Sequence, residues 1–174
     1  MSKRVFAFGG LAVILTTSLL LAMPKIMNTQ GDNSPLRLII STRSDVNYSV
    51  SNIPLTVTFE NVSDKDIRIL NAFKNPKTLP VFFRFSIKTS DETPIPIPGG
   101  GKVSFSQDSL EYIVLKQGQK TEIDVNLAQL LPPGTSLKED TYSLSVLYQN
   151  QYGADCFKGT AESNTVQVHL VETK

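Results

Sequence analysis

The residues best suited to recognition lie close together near the C-terminal end of the chain. They are Tyr152, Cys156 and Phe157, in a segment that runs from Gln149 to Asn164 and also holds two glycines. Cys156 is the only cysteine of the protein. Connections between antiparallel strands usually span ~2–5 residues, and long loops at one end of a β-domain often carry binding surfaces. Tyr152, Cys156 and Phe157 are therefore candidates for contact with a partner protein. The interpretation that we favour is that Cys156 and Phe157 turn inward and close the end of the hydrophobic core.

Few residues of the chain could act as catalytic groups. His169 is the only imidazole, and its place in an alternating C-terminal segment puts it on an exposed strand face, so neither a Ser–His hydrolase nor a multi-histidine metal site is favoured. The close acidic pairs are Asp64 with Asp66 and Asp91 with Glu92, which are typical of solvated turns. We expect no catalytic residue, no cofactor and no metal. A hydrolase that works with carboxylates alone is the least favoured alternative.

Composition narrows the classes of partner. The 174 residues include 17 Lys and Arg against 16 Asp and Glu, a formal charge of +1. Such a balance offers no field that would gather a polyanion, so we expect no nucleic-acid binding. The single cysteine excludes an intramolecular disulfide, and the fold must be stable through its core alone.

The N-terminal segment predicts export or anchoring. Lys3 and Arg4 precede 19 uncharged residues from Val5 to Met23, and Pro24 follows. This length favours a membrane-spanning helix, for which ~20 apolar residues are needed, over a secretory signal with ~7–15. We assign residues 1–27 to a signal peptide or membrane anchor helix and 28–35 to a linker. Because the cations precede the apolar run, the rest of the chain is expected outside the cytoplasm, in the cell envelope or secreted.

Residues 36–174 have the pattern of one all-β domain. β-branched and aromatic residues cluster in short segments separated by Gly, Pro, Asn, Asp and Ser, and several segments alternate between apolar and polar residues. This alternation is typical of an antiparallel β-sandwich, here of about seven to eight strands. The predicted strands are Leu36–Ser41, Pro54–Glu60, Ile67–Leu70, Val81–Lys88, Leu110–Leu115, Lys120–Asn126, Thr141–Gln149 and Thr165–Val171. One short helical turn is expected at Leu127–Leu131, with Asn126 as its N-cap.

Tyr142 opens one of these alternating strands, with an acidic residue two positions before it. This arrangement is similar to the tyrosine corner of immunoglobulin-like domains, in which the hydroxyl bonds back across the preceding connection. We assign Tyr142 a structural role.

Several segments together resemble bacterial extracytoplasmic immunoglobulin-like sandwiches. They are the Pro54–Asn61 strand and turn, the Leu115–Gly118 step, the strand that Tyr142 opens and the final strand at Ser163–Val168. Leu144 stands where antibody domains carry a cysteine, and the chain has no tryptophan, so an antibody-type domain is excluded.

The resemblance implies a non-catalytic binding or structural module, tethered to a membrane or exported, with an unidentified protein partner. A weaker similarity to small bacterial proteinase-inhibitor sandwiches leaves open an inhibitor that presents the proline-rich loop Thr89–Lys102. Rigid extended loops suit that role because they lose little entropy on docking.

Overall fold

The computed structural model describes residues 34–42, 48–71, 78–97, 110–135 and 137–171. The predicted signal or anchor at 1–27 and most of the linker at 28–35 lie outside these residues, so both remain predictions. Within the described part of the chain, no helix combines the length and apolar character needed to span a membrane.

The described chain is mostly β, as the alternation predicted. One helical turn at Leu79–Phe82 and a 3-10 turn at Leu127–Leu130 accompany the strands. The strands are β1 (Leu36–Ser41), β2 (Tyr48–Ser49), β3 (Pro54–Asn61), β4 (Ile67–Leu70), β5 (Phe83–Lys88), β6 (Pro94–Ile95), β7 (Tyr112–Leu115), β8 (Lys120–Asn126), β9 (Asp140–Asn150), β10 (Gly159–Glu162) and β11 (Val166–Val171).

Three sheets hold these strands. One has the order β1-β3-β8, the second has the order β2-β11-β9-β5-β6 with β10 also paired to β9, and β4 pairs with β7 in the third. All the pairings are antiparallel except that of β11 with β2. The arrangement is sandwich-like and compatible with an immunoglobulin-like domain.

The two larger sheets enclose a common core. Phe59 of β3 meets Tyr148 of β9 and Phe83 of β5 edge-on, with ring centroids 5.0 and 5.9 Å apart. Each strand contributes alternate side chains to this core because successive residues of a strand face opposite sides. The eleven-residue β9 shows this most clearly, with every second residue from Tyr142 to Asn150 buried.

A β-bulge and a buried asparagine tie the last strands to the opposite sheet. Residues 163–165 lie opposite 145–146 of β9, so one extra residue separates β10 from β11. The bulge places Asn164 against the edge of β1, where its Oδ1 accepts from the Ile40 amide (2.9 Å) and its Nδ2 donates to the Ile40 carbonyl (3.0 Å). A side chain thus serves as the neighbour that this edge strand would otherwise lack.

The predicted count of seven to eight strands was too low, since the described part of the chain has eleven. The prediction missed β2, β6 and β10, of which β2 and β6 have only two residues each and so carry no alternation that a sequence could display. It also extended β5 too far, because Pro80 stands within the first turn of the short helix that occupies Leu79–Phe82.

Other local predictions were accurate. The bounds of β1, β4 and β8 are those predicted, and Asn126 caps the 3-10 turn by accepting from the Ala128 amide at 3.2 Å. These features depend on neighbouring residues alone, which is why the sequence displays them.

Candidate functional site

The three residues singled out as candidates for partner contact lie in the loop 151–158, which joins β9 to β10. The hairpin closes with Asn150 opposite Gly159, so the connection is shorter than the Gln149–Asn164 segment considered from sequence. Gly153 (φ +84°) and Asp155 (φ +51°) both adopt the left-handed conformation, which folds the loop back on itself.

The side chain of Asn150 forms hydrogen bonds with the backbone of this loop from its buried side. Its side chain is fully buried; Oδ1 accepts from the Tyr152 amide at 2.9 Å, and Nδ2 donates to the Phe157 carbonyl at 2.8 Å and to the Tyr152 carbonyl at 3.2 Å. One residue therefore fixes both ends of the loop. Tyr152 is held in place before any partner arrives, and a fixed side chain loses little entropy on binding.

Phe157 faces inward. It is half-buried, its ring stacks on Tyr148 with centroids 6.3 Å apart, and its amide donates to the Arg68 carbonyl at 2.7 Å. This position corresponds to the interpretation in which Phe157 closes the end of the core. Its backbone also covers the edge of β4.

Cys156 is a free, half-buried thiol on the inner side of the loop. Its Sγ donates to the Tyr152 carbonyl at 3.2 Å and lies 3.7 Å from Nδ2 of Asn150. Burial raises the pKa of the Tyr148 hydroxyl well above its ordinary value, and the nearby Cys156 raises it further. Through its contacts with Tyr152 and Asn150, the Cys156 thiol takes part in the hydrogen bonding within the loop.

Tyr152 is the exposed aromatic residue of the loop. Its side chain is 40% exposed, and the ring rests edge-on against buried Phe82 with centroids 5.8 Å apart. A large aromatic surface that is exposed yet fixed by an apolar neighbour is typical of an interface anchor.

Two further residues, which the sequence did not single out, contact the loop that carries Tyr152. The exposed guanidinium of Arg68 lies 3.7 Å from the centroid of the Tyr112 ring, a cation–π contact. The Tyr112 hydroxyl accepts from the Ala154 amide at 3.3 Å and leaves no room for a Cβ at Gly153. We call Arg68, Tyr112 and Tyr152 the Tyr–Arg face.

The pairing of β4 with β7 brings Arg68 to Tyr112, and the loop contacts both residues, through the Phe157 amide and the Ala154 amide. Alternation alone could have placed Arg68 on the exposed side of its strand. It could not have revealed which loop lies beside it.

Tyr142 lies near the other end of the sandwich. Its ring is buried, and its hydroxyl accepts from the Lys138 amide at 3.1 Å and donates to the Lys138 carbonyl at 3.0 Å. This is the back-bonding that a tyrosine corner requires. It fixes the connection that precedes β9.

The remaining sequence candidates form no shared centre. His169 is exposed, with Nδ1 3.1 Å from the Thr141 hydroxyl. Within residues that the structure describes, no group of three or more His, Cys, Asp and Glu is placed to hold a metal ion.

The part of the proline-rich segment that is described, up to Ile97, forms a hairpin. Pro94 pairs with Lys88, and the hydroxyl of Thr89 donates to the Asp91 carboxylate in the turn, which lowers the pKa of Asp91. Residues 98–102 lie outside the described part of the chain. The inhibitor alternative therefore remains a prediction.

Asn61, in one of two Asn-X-Ser sequences, is completely buried. Its Nδ2 donates to the carbonyls of Lys65 (2.7 Å) and Leu115 (2.8 Å), while its Oδ1 accepts from Ser63. Both amide protons are engaged, so in the folded protein Asn61 is a structural residue rather than a glycan acceptor.

Comparison with models of known protein families gave no match, and no curated protein matched the chain.

Proposed function

We propose that this chain is a non-catalytic binding module, tethered to a membrane or exported, that recognises a partner protein through the Tyr–Arg face. The observation that carries the proposal is an exposed tyrosine on a preorganised loop, together with an arginine that stacks on a second tyrosine where β4 and β7 contact the same loop. Tyrosine and arginine dominate the residues that contribute most to interface energy.

The internal bonding of the loop supports this assignment. Asn150 holds the backbone on both sides of Tyr152, and Cys156 adds a bond from within. In this proposal Cys156 and Phe157 brace the loop from its inner side, while Tyr152 and Arg68 make the contacts.

Site-specific photo-crosslinking provides the test. A photoreactive phenylalanine analogue replaces Tyr152 in the full-length protein in its native cells, and a second sample carries it at Ser86, an exposed residue of β5. We expect a discrete crosslinked product from position 152 and none from position 86. No product at 152, or the same product at both positions, would contradict the proposal.

Binding measurements with the captured partner then assign the contacts. We expect Tyr152→Ser and Arg68→Ala each to weaken binding ~30-fold, which corresponds to ~2 kcal/mol. Lys88→Ala is the matched control, since Lys88 is a partly exposed cation at the far end of β5. Unfolding measured in parallel should show that all three variants remain folded.

A further inference from the structure

β8 is an open edge of the three-stranded sheet. Its only strand partner among the described residues is β3. The ladder between them is bracketed by two bonds, from the Asn61 amide to the Gln119 carbonyl and from the Leu127 amide to the Ile53 carbonyl. Hydrogen bonding alternates in an antiparallel pair, so residues 121, 123 and 125 bond to β3. The amides and carbonyls of Lys120, Glu122 and Asp124 therefore point away from β3, along the free edge.

These backbone groups are accessible. Lys120, Glu122 and Asp124 are all exposed, and no hydrogen bond joins their backbone to the other described residues outside the β3 ladder. An open row of amides and carbonyls is the template on which an extended peptide can add as a further strand. The half-buried side chain of Ile123 faces the core at this edge and leaves apolar surface for such a strand to cover.

The charges along the β8 edge determine which side chains an added strand should carry. Glu60 pairs with both Arg37 (3.2 Å) and Lys120 (3.7 Å). Among the described residues, Glu122 and Asp124 accept only from threonine hydroxyls of β3, at 3.4 and 2.8 Å, and no cation lies within ion-pair distance of either. A strand laid beside β8 would place alternate side chains opposite these two carboxylates. Cations at those positions would complement them.

We infer that the β8 edge binds an extended segment of a partner protein in which basic residues alternate with apolar ones. The basic side chains lie on the solvent side opposite Glu122 and Asp124, and the apolar ones pack toward Ile123. Backbone hydrogen bonds provide the attachment, and the alternation provides the selectivity. This surface lies on a different sheet from the hairpin loop that carries Tyr152, so its occupancy does not depend on the proposed function.

The test uses fluorescein-labelled peptides and the full-length protein in a non-ionic detergent. Fluorescence anisotropy compares a peptide with the core Val-Lys-Val-Lys-Val against one with Val-Glu-Val-Glu-Val and one with proline at the central position. We expect saturable binding of the lysine peptide alone. The Glu122→Lys/Asp124→Lys variant should bind it ~10-fold more weakly, because two attractive pairs become repulsive.

Controls separate this edge from other surfaces. Glu162→Lys changes an exposed carboxylate on β10 of the other large sheet, and Tyr152→Ser changes the Tyr–Arg face; both should bind the peptide as the unaltered protein does. Unaltered unfolding midpoints establish that the charge variants are folded.

Three results of the binding experiment would overturn the inference. They are equal binding of the glutamate peptide, unchanged binding by the Glu122→Lys/Asp124→Lys variant, and absence of binding at millimolar peptide. Self-association of the full-length protein that the same double variant abolishes would assign the edge to a second copy and would also overturn it.

Discussion

Tyr148 and Tyr142 are both buried residues of β9, and we expect the same substitution, Tyr to Phe, to have opposite effects at the two positions. The Tyr142 hydroxyl has two hydrogen bonds to Lys138. The Tyr148 hydroxyl has no hydrogen-bond partner in the described part of the chain. Each substitution removes one hydroxyl oxygen and keeps the ring. A difference between the two changes in the free energy of unfolding therefore reports whether the hydroxyl has hydrogen-bond partners.

The magnitudes follow from hydrogen-bond energetics. Tyr142→Phe breaks two bonds and should lower the free energy of unfolding by ~1–3 kcal/mol. Tyr148→Phe keeps the ring contacts with Phe59 and Phe83 and removes a hydroxyl whose burial without a partner costs ~1–3 kcal/mol. Part of that gain is lost to the small void left behind. We expect a net increase of ~1 kcal/mol.

The pH dependence offers an independent check on Tyr148. Because burial raises the pKa of Tyr148 in the folded state, the unfolded state loses this proton first, near the ordinary pKa of 10.0. Ionisation of Tyr148 therefore leaves the free energy of unfolding unchanged below that pH and lowers it as the pH rises from 10 toward the raised pKa of the folded state. The stability of Tyr148→Phe relative to the unaltered protein should therefore grow by up to ~1.4 kcal/mol per pH unit above pH 10.

Urea unfolding at pH 7, and again between pH 9 and 11, measures these quantities. A loss of 1 kcal/mol or more in Tyr148→Phe at pH 7 would refute the reasoning, since it would mean that the hydroxyl is stabilising. So would a difference between the two proteins that stays constant above pH 10.

Four further predictions concern the loop, the bulge, the acid side of the pH profile and the N-terminal segment. Gly153→Ala should lower the free energy of unfolding by ~2–4 kcal/mol, because the added Cβ would lie 2.9 Å from the Tyr112 hydroxyl. Gly118 is the control, since it has a similar φ and no atom within 4 Å of the added Cβ. Gly118→Ala should cost only ~1–2 kcal/mol, as measured by urea unfolding. Asn164→Ala leaves two buried groups of β1 unpaired and should cost ~2–4 kcal/mol; a loss below 1 kcal/mol would contradict the bridging role. Hydrogen bonds from the Thr141 amide and the Ser90 hydroxyl lower the pKa of Asp140. The ionised carboxylate therefore contributes to folding stability above about pH 4. The difference in stability between the unaltered protein and Asp140→Asn should disappear as the pH falls below that value. The full-length protein should remain in membranes after alkaline carbonate washing, and a soluble product that begins between Ala22 and Gly31 would show instead that the apolar segment is cleaved.

Part of the candidate site was predictable because it depends on local chain properties. The turn-rich segment with aromatic residues indicated a hairpin loop with recognition potential, and the structure leaves Tyr152 exposed on that loop. The inward orientation of Phe157 was one of two alternatives that the sequence left open. Which side chain turns inward depends on whether the core end has space for it, and that space is formed by Tyr148 and residues from other strands.

The mostly β character of the chain, the bounds of β1, β4 and β8, and the cap at Asn126 could all be predicted from the sequence. Each of these follows from the two-residue period of a strand or from bonds between near neighbours. The stacking of Arg68 on Tyr112, the bridge that Asn164 forms between two sheets, and the single strand partner of β8 among the described residues became visible in the folded structure. Those features arise where strands distant in sequence meet, and alternation states which face of a strand is buried but not which strand lies against it.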